Sequence, residues 1–146
     1  MDMKRIAIGT IVGAVVLHIV GYLMFDLATV EFYNANNAAA TNFQRGVNLQ
    51  WSIGLGNLAL GALLALCIGN RTSASTIGGG LVTGAAIGFL VWFGVDFTLY
   101  GYESRWNLML TIVDPLLAAI QFAIAGAVVA AVLARVPKSA GIQPAR

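Results

Sequence analysis

Four stretches of this sequence, about 6–29, 49–68, 77–100 and 108–133, are long and apolar enough to cross the roughly 30 Å hydrocarbon layer of a bilayer. Lipid offers backbone amides no hydrogen-bond partners, so each stretch must be helical. Composition agrees. Of 146 residues, 59% are hydrophobic and 10% charged, whereas a soluble domain has about 25% charged residues. So few charges could not coat the core of a chain this short in water. The expected fold class is all-α, an integral membrane four-helix bundle. Residues 1–136 form one transmembrane domain, and 137–146 form a flexible cytoplasmic tail. The first stretch has a basic start at Met1–Arg5 and small residues at Ala38, Ala39 and Ala40. Its apolar run is much longer than the 7–15 residues of a signal core. It reads as an uncleaved signal-anchor.

Basic residues set the expected orientation. An even number of spans puts both termini on one side. Lys4, Arg5, Arg71, Arg135, Lys138 and Arg146 fall there, against Arg45 and Arg105 opposite. Both termini should be cytoplasmic. The lone Cys67 excludes an internal disulfide and a CxxC pair. No basic cluster with interleaved aromatics points to nucleic acid.

Helices in lipid are held together by close contact of small residues. Gly9 and Gly13 form a GxxxG in the first span, and Gly80, Gly84 and Gly88 form two overlapping ones in the third. Gly54 and Gly61 serve the second span, and Ala119, Ala123, Ala127 and Ala131 the fourth, with Gly126 beside them. Packing within the bundle is the preferred reading; an oligomer face is the other.

The third-span glycine face continues through Trp92 to Asp96 and Tyr100, all at four-residue steps. The other spans carry similar polar stripes: His18, Tyr22 and Asp26 in the first, Gln50 and Asn57 in the second, and Asn107, Thr111, Asp114 and Gln121 in the fourth. All acidic residues except Asp2 lie toward the outer ends. An outward-facing pocket is expected, with Asp26, Asp96, Asp114, Asn57, Tyr22, Tyr100 and Thr111 in its walls and His18 and Gln121 at its floor. An ionised carboxylate in hydrocarbon costs about 2.5–3.5 kcal/mol on insertion scales. Three together need water, partners or protons, since like charges disfavour joint ionisation. Each residue also has a plainer reading. Asp114 before Pro115 fits a helix N-cap. His18 fits a neutral inter-helix hydrogen bond better than a metal ligand. Asn57 and Gln121 fit helix bridging, and Tyr22, Trp92, Tyr100 and Trp106 fit packing or the interfacial belt. No metal or cofactor is expected.

The strings "GNLALGALLA" at 56–65, "DFTLYG" at 96–101, "LTIVDPLLAAI" at 110–120 and "IAGAVVAAVLA" at 124–134 resemble a family of small bacterial four-helix membrane proteins with a domain of unknown function. The opening helix "GTIVGAVVLHIVGYLMFDL" resembles that family too. The resemblance covers nearly the whole chain. It implies a bacterial inner-membrane protein and brings no established activity.

Catalytic signatures are absent: there is no HExxH, no phosphate-binding glycine loop and no Ser/His/Asp set. An Asp96–Asp114 intramembrane dyad ranks third. First stands a module that binds or transports a small ligand, cation or proton through the acidic pocket, expected as a homodimer. Second stands an accessory subunit that joins a larger membrane complex through its glycine faces. Inward-pointing Gly80, Gly84 and Gly88 would favour the first, outward-pointing ones the second.

Overall fold

The structure, a computed structural model, describes residues 2–36, 48–69, 76–103 and 106–137. The expected tail from residue 138 lies outside the described residues, as do Ala38, Ala39, Ala40, Arg45, Arg71 and Arg105. The helices are α1 (Met3–Gly21), a π-helical segment (Tyr22–Ala28), α2 (Val30–Asn36), α3 (Gln50–Gly69), α4 (Ile77–Tyr102) and α5 (Leu108–Arg135). Four helical stretches are long and apolar enough to cross a membrane: Met3–Ala28, α3, α4 and α5. Three helix starts are capped by polar side chains that take up orphan amides. Asp2 accepts from the Arg5 amide, Thr76 from Gly79 and Asn107 from Leu110.

Two departures from regular helix matter for the site. The first span changes from α to π geometry at Tyr22. Thr29 closes that segment by donating both its amide (2.9 Å) and its hydroxyl (2.8 Å) to the Met24 carbonyl. The chain then turns into α2, so part of the outer loop is a separate short helix. The fourth span runs unbroken from its Asn107 cap through Asp114 and Pro115. Asp114 is therefore not an N-cap. Pro115 has no amide to offer the Thr111 carbonyl one turn back.

Neighbouring long helices run antiparallel in two tight pairs, α1 with α3 and α4 with α5. In the second pair, a Cβ on Gly80 would overlap the Gly126 carbonyl, one on Gly84 the Phe122 carbonyl, and one on Gly88 would lie 2.5 Å from the Ala118 carbonyl. The third-span glycines thus face inward and let two backbones touch. The matching α5 stripe is Ala118, Phe122, Gly126 and Ala130, one residue displaced from the expected alanine row. In the first pair Gly13 and Gly61 meet, with 3.0 Å between a Cβ on Gly13 and the Gly61 Cα. Gly9 packs on Ala65, whereas Gly54 faces open space.

Helix α5 joins the pairs. Its Phe122, Ala125, Val129 and Leu133 form the core with Leu17, Leu64 and Ile68. Two polar side chains, Gln121 and Arg5, fasten α1 to it. The Gln121 amide donates to the Leu17 carbonyl at 2.8 Å, in the space left by Gly21. Arg5, only 5% exposed, donates to the Leu133 carbonyl at 2.7 Å and to the Val136 carbonyl. A guanidinium at a helix C-terminus satisfies orphan carbonyls and opposes the helix dipole.

Gly84→Ala should destabilise the protein by about 1–3 kcal/mol, because the backbones must separate. Gly94→Ala, with nothing within 4 Å of the new methyl, should be neutral or slightly stabilising. Thermal unfolding of the two variants in detergent checks the contrast; equal midpoints would contradict this account of the α4–α5 contact.

Candidate functional site

The same close approach that the glycines allow carries the α4 stripe on to Asp96. Its side chain is fully buried, and neither carboxylate oxygen has a hydrogen-bond partner among the described residues. Asp114 on α5, 7% exposed, lies close enough to interact with it electrostatically. Two ionised carboxylates are both acceptors and cannot hydrogen-bond unless a proton lies between them.

A third group closes the pair from the loop end. The Tyr33 hydroxyl on α2 donates to Asp114 Oδ1. Tyr33 is held by edge-to-face contacts with Phe25 and Phe32, with centroids 5.6 and 5.7 Å apart. A 3.0 Å bond from Asn107 Nδ2 to Asn36 Oδ1 fixes the far end of α2 to the start of α5. Burial, and then the bond to Asp114, pushes the Tyr33 phenol above its ordinary value. Sequence spacing gave no sign of Tyr33, because it lies beyond the π segment and the break at Thr29. Trp106 adds a third buried polar atom without a hydrogen-bond partner among the described residues, its Nε1.

The residues expected in one pocket fall into two places. His18, Tyr22, Asp26, Asn57 and Gln121 line a cavity of about 250 Å³ between α1, α3, α4 and α5, together with Trp92 and Phe122. Asp96 and Asp114 lie outside it, at the α4–α5 contact. The three carboxylates therefore do not converge: Asp26 is exposed, at the cavity. Thr111 is fully buried, and its hydroxyl donates to the Asn107 carbonyl one turn back at 2.9 Å. Tyr100 is 44% exposed. His18 Nδ1 and Asn57 Nδ2 are 3.2 Å apart, an inter-helix hydrogen bond whose direction follows the imidazole tautomer. Among the described residues no three His, Cys, Asp or Glu side chains are grouped to hold a metal ion.

A larger recess of about 550 Å³ adjoins the cavity at the loop end and shares Asp26, Asn48 and Ile53 with it. Asp26 thus lines both the recess and the cavity.

No family model, no curated protein and no solved structure matches the chain.

Because the folded-state Tyr33 phenol titrates above its unfolded value of about 10, its contribution to stability is complete below that pH and is lost as pH rises beyond it. Tyr33→Phe should cost about 1 kcal/mol at neutral pH and should flatten the alkaline limb of the stability curve. Unfolding midpoints of both proteins between neutral and strongly alkaline pH test this; parallel curves would remove Tyr33 from the acid pair.

Proposed function

We propose that this chain is a small ion-handling protein of a bacterial inner membrane, with both termini cytoplasmic and with Asp96 and Asp114 as its proton- or cation-binding pair. The observation that carries the reading is a fully buried Asp96 with two unpartnered oxygens beside a second carboxyl. Burying charge without compensation costs several kcal/mol, and intramembrane acids mark ion pathways and proton relays. A single proton turns two repelling acceptors into a hydrogen-bonded pair. A hard metal cation would ask for six or more oxygens, which two carboxyls and a phenol do not provide. The proton is therefore the favoured occupant.

The charge bias of Lys4, Arg5 and Arg135 supports a periplasmic side for Tyr33 and the acid pair. The resemblance to small bacterial four-helix proteins fits that setting. Assembly through the third-span glycines finds less support, because Gly80, Gly84 and Gly88 are used up against α5.

Asp96→Asn keeps the shape and removes the acid. Reconstituted in vesicles carrying an internal pH indicator, the wild type should pass protons after a pH jump, and the variant should be slower by about a hundredfold or more, the lower end of the range for lost proton-transfer groups. The variant should be as stable as the wild type or more so, since the Asn amide can donate to Asp114 without needing a proton between two acids. Proton flux unchanged by the substitution would overturn the proposal.

A further inference from the structure

We infer that the cavity between α1 and α3 is a second site, built for a small organic cation such as a substituted ammonium. The inference goes beyond the proton reading and does not rest on it, since Asp96 and Asp114 are not part of the cavity. Three features converge. First, the cavity of about 250 Å³ adjoins a recess of about 550 Å³, and Asp26 lines both. An exposed carboxylate there attracts cations and repels anions.

Second, part of the wall is aromatic and apolar. Phe25, Trp92, Ile53 and Leu60 line it, and Leu17 and Phe122, each 1% exposed, lie behind them. An alkylammonium suits such a wall. Its methyl groups replace water against apolar atoms, and its diffuse charge is attracted by ring quadrupoles. A small inorganic cation holds its hydration shell more tightly than an alkylammonium does, so the apolar part of the wall disfavours it.

Third, the polar atoms inside are already arranged. Gln121 spends its amide nitrogen on the Leu17 carbonyl, which leaves its oxygen as an acceptor at the inner end. Asn57 and His18 bond to each other, which fixes both side chains at the wall. Fixed polar groups beside apolar and aromatic side chains suit a small-molecule site.

The test uses the full chain in detergent, with Trp51→Phe and Trp106→Phe introduced so that Trp92 is the remaining tryptophan. Choline is the probe, and 3,3-dimethylbutan-1-ol, the same shape without charge, is the control. Choline should change Trp92 emission saturably, and the alcohol should not. Asp26→Asn, at an exposed position that leaves folding intact, should weaken choline binding about tenfold, the scale of one charge-assisted contact. Asp96→Asn should leave the choline titration unchanged. Absence of saturation, equal response to the alcohol, an unaffected Asp26→Asn variant, or loss of choline binding in Asp96→Asn would each overturn the assignment.

Discussion

Backbone contact between α4 and α5 is the constraint on which the acid pair depends. Side chains normally keep helix axes 8–10 Å apart. At Gly80, Gly84 and Gly88 nothing stands between the α4 backbone and the carbonyls of Gly126, Phe122 and Ala118. Dispersion is short-ranged, so this approach supplies the attraction that hydrophobicity cannot supply in lipid. It also fixes the register. Two further turns along the same face, Asp96 has nowhere to turn but toward α5. A larger residue at Gly88 would move both carboxyls apart before it disturbed the core near the termini.

The π segment performs a different task. By widening the end of the first span it lets α2 leave the α1 axis and reach α5. Phe25 then touches Tyr33, and Tyr33 bonds to Asp114. Phe25 also lines the cavity. One short contact chain thus runs from the cavity wall to the acid pair, and Trp92, one turn before Asp96, forms a second connection through α4. π-Helical turns occur often at functional sites; here the turn sits between the two polar regions.

The spans were legible because lipid leaves helix as the single solution and length bounds it; each ends within about three residues of its expected place. The inward glycine face was legible as well, since Asp96 and three glycines share one period. Periodicity says which residues share a side of one helix, but not which neighbour that side meets. So His18, Tyr22 and Asp26 share a stripe and line one cavity, whereas Asp96 and Asp114, expected beside them, lie outside it at the α4–α5 contact. Asp114–Pro115 reads equally as a cap or as an interior kink, and the competing cap at Asn107 decided it. Arg5 looked like an orientation signal alone, because a cationic group near the start of a span is normally solvated; its carbonyl partners are 128 residues away or more.

That last bond ties two distant parts of the chain. Arg5 precedes its acceptors at Leu133 and Val136 by 128 residues or more. The contact of Gly13 with Gly61 pairs α1 and α3 without any part of α5, but the guanidinium gains its carbonyls only once α5 is in place, so the α1–α3 hairpin by itself leaves that cation unanswered.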